Sequence, residues 1–395
     1  MKEKHKKRNI YIDIMKGLLI TLVVIGHLPY FEYDSRTLIL IYSFHMHAFL
    51  IIGGILSHID ENTKLSTILY KRTTGTLIPY FVFYLITFII VPTTTEQKIN
   101  AIPVVLKGIG IPPDHALNLP LWFLTFYFVA MTVFELIQFI SYKITKIIVN
   151  SKKVKTNIHL YKPILEILIA FVFIAINMRI SFIYARIYKL PRLPYNIEIA
   201  GYCLGFIFLG NILSKIVPVI INKKGSIILY TFTIIAIIII AKTWYEYSMW
   251  NGRIDLNARD YKNAFYMYVD AILGFIFFSS ISYIIYIISA FAKKQLDNLN
   301  NNLFNGISCF IYTLLELPTR LFSYLGKNSI YILAYHIPSV YYSNRFIIPY
   351  LPISIREILS HNSLISILIM SFFGIAFSLL MSILHKVVSK IFFMR

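Results

Sequence analysis

Apolar stretches of about 20 residues recur from the start of the chain to its end. At 1.5 Å per helical residue, a stretch of that length matches the hydrocarbon thickness of a bilayer. Inside a bilayer every backbone polar group must find its partner within the protein, so such segments cross as helices. The predicted fold is therefore all-α, a polytopic integral membrane helical bundle. Its spans are predicted over 10–30, 38–57, 75–92, 119–141, 163–181, 197–217, 225–243, 264–291, 328–348 and 363–386, about ten in all. Composition agrees: 57% of the residues are hydrophobic and 14% charged, against about 25% charged in an average soluble domain. The first apolar run is longer than a signal-peptide core, and no small-residue cleavage site follows "GHLPYFEYD", so it is expected to be retained. The piece 303–325 is apolar but interrupted by Glu316, Pro318 and Arg320, and is predicted to be an interfacial amphipathic helix.

A net charge of +20 in a soluble protein would point to nucleic acid. Here the lysines and arginines gather in alternate loops, as the positive-inside rule requires, so no nucleic-acid partner is expected. Lys64, Lys71 and Arg72 follow the second span, a lysine group from Lys143 to Lys162 follows the fourth, and Lys386, Lys390 and Arg395 end the chain. These loops and both termini are predicted cytoplasmic. The segment 179–192, with Arg179, Arg186, Lys189 and Arg192, breaks the bias on the opposite side: one irregular loop, or a basic rim for an anionic substrate. Cys203 and Cys309 support neither a disulfide framework nor a thiolate metal site. No internal repeat or soluble domain boundary is visible, so residues 1–395 read as a single transmembrane domain. Abundant Ile, Lys, Asn and Tyr fit an AT-rich bacterial genome and a bacterial plasma-membrane protein.

The first span, "NIYIDIMKGLLITLVVIGHLPYF", carries Asp13, Lys16 and His27. At about 100° per residue, Lys16 and His27 point within about 20° of each other and Asp13 lies about 40° to the other side. Ionisable groups on one face of a transmembrane helix face the bundle interior or a wet cavity. The plainer alternative is an Asp13–Lys16 pair near the cytoplasmic surface with a hydrogen-bonded His27 near the other. Gly17 and Gly26 permit close approach of neighbouring helices. In "YSFHMHAFLIIGGIL", His45 and His47 point about 200° apart, which argues against a histidine metal cluster, and no metal is expected. In "LGKNSIYILAYHIPSV", Ser329 and His336 share a helix face, while Asn328 or Ser329 is also placed to cap the helix.

In order and spacing these pieces resemble the membrane-bound acyltransferase 3 family, and in particular its fucose 4-O-acetylase-like branch. The family's first helix carries an Asp, a basic residue, ten further residues and a His; here these are Asp13, Lys16 and His27. "FHMHAFLIIGGIL" resembles "FHMPLFFFxSGxL", and "KRTTGTLIPY" resembles "KRxxRLLIPY" with Gly75 in place of the second basic residue. "LPLWFLTFYF", "LPYNIEIAGYCLGFIFLGNIL", "NGRIDLNARDYKNAFYMYVDAILG" and "GKNSIYILAYHIP" resemble later elements of the family, so the resemblance covers nearly the whole chain.

The resemblance implies transfer of an acyl group, usually acetyl from acetyl-CoA, to a hydroxyl of a surface polysaccharide or its lipid-linked precursor. It makes His27 the catalytic base or a transient acyl carrier, with Asp13 and Lys16 beside it. Lys71 and Arg72 are the expected partners of CoA phosphates. His45, Trp122, Ser329 and His336 are the expected substrate-binding residues, although Trp122 at a helix end also suits an interface anchor. The competing reading is an exporter or flippase of a lipid-linked glycan that consumes no acetyl-CoA. A transporter of that kind often shows inverted repeats, and no corresponding halves are visible.

Overall fold

The computed structural model describes residues 8–60, 62–109, 118–151, 191–222, 227–297, 305–360 and 364–393, with scattered positions between 164 and 183. The span expected at 163–181 lies outside the continuously described residues. Among the described residues the protein is helical; the one strand-like pairing is an isolated bridge between Asp255 and Asp260. The helices are α1 (Ile10–Gly26), α2 (Arg36–Leu56), α3 (Leu65–Arg72), α4 (Ile78–Ile90), α5 (Thr95–Lys107) and α6 (Trp122–Ser151). They continue as α7 (Ile197–Asn222), α8 (Ile227–Asn251), α9 (Ala264–Asp297), α10 (Asn305–Lys327), α11 (Ser329–Tyr342), α12 (Ile353–Ser360) and α13 (Leu364–Phe393). Six helical stretches among the described residues are long and apolar enough to cross a membrane. The protein is a polytopic helical membrane protein, as the apolar runs require.

Two expected boundaries move. Helix α1 is shorter than the 10–30 span, because His27 closes it as the C-cap, with its backbone N–H bonded to Val24 and Ile25 carbonyls. The stretch expected as a basic loop before the third span is helical: α3 runs through a π-turn at Thr73–Leu77 into α4, so Lys71 and Arg72 stand on a helix. Pro79 explains the π-turn. Its ring has no N–H to give the preceding turn, and a widened turn accommodates that loss within a continuous helix. The segment between α4 and α6, expected to be irregular, contains α5. A capping box between Thr94 and Gln97 starts that helix and left-handed Gly108 stops it.

The chain divides into two compact units, with the division falling inside α2 between His45 and Met46. The first comprises residues 1–45, 224–254 and 262–395. Its centre is α1, whose Ile14, Met15, Leu19 and Val24 are fully buried against α9, α10, α11 and α13. Glycine lets α10 reach the α1 backbone. A side-chain carbon at Gly17 would overlap the Phe322 carbonyl, and one at Gly326 would overlap the Asp13 carbonyl. Small residues at such crossings replace a hydrophobic drive between helices that lipid cannot supply. The segment expected as an interfacial helix is thus α10, seated along α1. Helix α11 meets α13 through Ser339 and Ser378, whose hydroxyls lie 3.1 Å apart.

The second unit comprises residues 46–223 and 255–261. There α2 and α7 cross at a glycine pair: a side chain on Gly54 would overlap the Ile207 carbonyl, and one on Gly210 the Ile51 carbonyl. The α3 helix packs on α6, where Arg72 makes a two-pronged ion pair with Glu135 that includes an Nε–Oε2 bond of 2.8 Å.

Gly17→Val is expected to force α1 and α10 apart, since overpacking a close-fitted contact costs about 1–3 kcal/mol. The check is a lower denaturation midpoint of the purified protein in lipid nanodiscs, compared with Gly75→Ala, an exposed position with open space around it, as a control outside that crossing.

Candidate active site

Histidines cluster in the first unit, and the helices fix their tautomers. His27 sits half-buried at the carboxyl end of α1, with Nδ1 2.8 Å from the Val23 carbonyl. His336, fully buried in α11, places Nδ1 2.9 Å from the Leu333 and 3.0 Å from the Ile332 carbonyl. His45 in α2 places Nδ1 2.6 Å from the Ile41 carbonyl. A carbonyl oxygen can only accept, so each Nδ1 carries the hydrogen and each neutral ring keeps its lone pair on Nε2. The rings of His27 and His336 meet edge-to-face with centroids 5.0 Å apart. The Nε2 of His336 is buried and meets no hydrogen-bond partner among the described residues.

Around this pair the first unit arranges aromatic rings and one cation. Tyr42 lies 6.4 Å from the His27 ring and 5.1 Å from that of His45. The Arg253 guanidinium is sandwiched between Tyr33 and Tyr42, at 3.8 Å and 3.9 Å from their ring centres, and its Nη1 donates to the Tyr33 carbonyl. Stacking of this kind holds a guanidinium flat while leaving its edge for a polar group. Arg253 and Tyr33 were missed as candidates because both come from loops, where periodicity gives no signal. Arg253 had appeared only within the quoted "NGRIDLN".

Asp13 is buried and paired with Arg8, with Nε 2.7 Å and Nη2 3.2 Å from its two carboxylate oxygens. Lys16 is half-buried within electrostatic reach of Asp13. Asp13 is therefore oriented by the residue entering the helix rather than by its neighbour one turn on. Asn328 precedes α11 without capping it through its side chain. Its amide donates to the Tyr324 carbonyl and accepts from Lys386 at 2.8 Å. Ser329 is the half-buried first residue of α11.

Lys71, Arg72 and Trp122 belong to the second unit. Lys71 is exposed. The adjacent Arg72 points into the protein, its guanidinium committed to Glu135, which also accepts from the Ser57 hydroxyl at 2.7 Å. Trp122 is buried against Phe123 and Phe126, and His47 packs on Phe206 at 4.6 Å. Among the described residues no three of His, Cys, Asp and Glu converge as metal ligands would.

The fold is that of a helical membrane protein whose first unit packs the imidazoles of His27 and His336 together. A family model described as an acyltransferase domain, acyltransferase 3, matches residues 9–383. The chain belongs to that family, and its class of activity is acyl transfer. No similar curated protein and no similar solved structure was found.

Arg72→Met is expected to lower stability by about 3–5 kcal/mol, because it leaves Glu135 as an unpaired buried charge. Lys71→Met, one residue away but exposed, should leave the melting midpoint unchanged. Thermal denaturation of both variants in nanodiscs is the check, and Arg72→Met with Glu135→Leu should recover much of the loss.

Proposed function

We propose that the chain is a membrane O-acyltransferase that moves acetyl from acetyl-CoA to a sugar hydroxyl of a cell-surface polysaccharide or its lipid-linked precursor. It would work in a bacterial plasma membrane, with about ten spans and both termini cytoplasmic. The observation that supports this reading most is the His27–His336 pair, with each Nδ1–H held by carbonyls of its own helix. A sugar hydroxyl is a weak nucleophile and needs a positioned base. His27 offers its Nε2 lone pair in a fixed direction, because the Nδ1 bond to Val23 sets both tautomer and ring plane.

In this reading Nε2 of His27 takes the hydroxyl proton as the sugar oxygen attacks the thioester carbonyl. The tetrahedral intermediate expels CoA thiolate, and the proton passes from His27 to the thiolate. The carbonyl end of α1 favours the positive charge that His27 carries between these events. His336 is a positioning residue: fully buried, it packs against His27 and presents an acceptor nitrogen. Arg253, held flat near the same cluster, is placed to face the oxyanion or an acidic group of the substrate. Lys71, exposed on α3, suits a CoA phosphate better than Arg72, which is occupied by Glu135. Asp13, bound to Arg8, would hold the entrance of α1 in shape, with Lys16 lining the donor path.

Membranes supplied with acetyl-labelled CoA should transfer label into glycolipid or polysaccharide. His27→Ala is expected to lower the rate by about 10²–10⁴-fold with normal insertion, the range for removal of a general base. A label that stays on the protein after acid quenching and is lost with His27→Ala would instead make His27 an acyl carrier. Transport of glycan without any acetyl-CoA consumption would replace the enzyme reading by the exporter. His336→Gln should reduce kcat by about tenfold or more while leaving KM for acetyl-CoA near native, and it should change the pH–rate profile, which a merely structural role would not do.

A further inference from the structure

A second set of polar groups lies in the second unit, at the start of α7. Glu198 is 2% exposed and Asn196 fully buried. Among the described residues no side chain donates to either Glu198 carboxylate oxygen or to Oδ1 of Asn196, while the Leu193 and Glu198 backbone N–H groups face the carboxylate. The Asn196 amide is oriented by its bond to the Gly108 carbonyl at 3.1 Å, so Oδ1 is not free to turn elsewhere. Three buried acceptors within three residues thus lack a side-chain donor among the described residues. Leaving one such group unmade costs about 1–3 kcal/mol. Buried acceptors of this sort call for an occupant that brings its own hydrogens.

The backbone that sets them in place is strained. Tyr195 and Asn196 both lie in the left-handed region, at φ of 56° and 55°. A non-glycine residue there costs about 1–3 kcal/mol, and such strain collects at ligand clamps. The loop 255–261 belongs to the same unit and is closed by the Asp255–Asp260 bridge, with both N–O distances at 2.9 Å. Arg259 in that loop is also left-handed. Arg192 is tied to the loop by a 2.7 Å bond to Asn257, and Tyr261 stacks on Tyr202 at 4.6 Å. Tyr202 stands one helical turn beyond Glu198 on the same face. Arg192 and Arg259 both lie within electrostatic reach of Glu198.

We propose that this cluster is a polyol-binding site, in which vicinal hydroxyls of a saccharide donate to Glu198 and Asn196 while accepting from the nearby arginines. The charge balance selects this chemistry. A bare cation would sit beside Arg192 and Arg259, and an anion beside Glu198 with Asp255 and Asp260 in the facing loop. A neutral molecule with several O–H groups satisfies donors and acceptors together. The site does not rest on the assignment of His27, and the ligand is either a free saccharide or the same sugar tethered to a lipid.

The test uses the full chain in nanodiscs and the methyl glycosides of glucose, galactose, mannose, fucose and N-acetylglucosamine, with inorganic phosphate and Mg²⁺ as contrasting probes. Binding is read by saturation-transfer NMR and by the melting midpoint. At least one glycoside should bind, and Glu198→Gln should weaken it about tenfold; Asn196→Ser serves if the first variant does not fold. Equal binding of the methyl and dodecyl forms supports a free saccharide, and binding of the dodecyl form alone supports a lipid-tethered one. No binding of any glycoside, binding indifferent to both variants, or a response to phosphate or Mg²⁺ instead overturns the proposal.

Discussion

A polar group carried into hydrocarbon must be satisfied by the protein, because nothing else there can do it. That requirement organises this structure. Hydroxyls within the helices turn back to the carbonyl one turn earlier, as Thr87 does to Phe83, Ser141 to Ile137 and Ser339 to Tyr335. His27, His45 and His336 do the same through Nδ1. The habit looks merely structural for serine and threonine. For histidine it has a chemical result: the backbone fixes the tautomer and delivers a lone pair at Nε2. A carboxylate that would orient the imidazole in a soluble hydrolase is replaced here by a carbonyl of the same helix.

The same requirement separates buried groups that the protein satisfies from those that it does not. Asp270 is fully buried, and its two oxygens accept from Ser248 and Asn251 at 2.8 Å each. Glu135 is equally buried and takes Arg72 and Ser57. Both carboxylates are accounted for by protein donors. Glu198 and the Nε2 of His336 are not. An unpaired buried group is costly, so Glu198 and the Nε2 of His336 stand with the other buried groups of this kind, Gln138 and Asn196 among them, as places where a ligand would be stabilising.

What the sequence disclosed follows the same division. The helical class and the place of most helices were legible, because they depend only on apolar length and on 100° per residue. Pairing across the fold was not. Arg8 looked like one more cytoplasmic charge, yet it holds Asp13. Lys71 and Arg72 read as equivalent; on a helix one residue is 100°, enough to expose one and bury the other against α6. Glu135 was the readable clue, a single acid within an apolar run that needs a partner. Arg253 carried no such sign, since the loop that brings it between two tyrosines has no period.

The end of α1 shows how a histidine at a helix terminus differs from one in mid-helix. His336 lies inside α11 with its ring wholly enclosed, so no substrate atom reaches it without displacing protein. His27 stands at the cap, half-buried, where the helix stops and the chain turns away. It keeps the carbonyl bond that fixes its tautomer. One imidazole is thus accessible and oriented, and the other is inaccessible and adjacent. In the proposed reaction, access to a hydroxyl and enclosure of the proton are opposing demands on a single side chain, which two histidines on neighbouring helices would meet together.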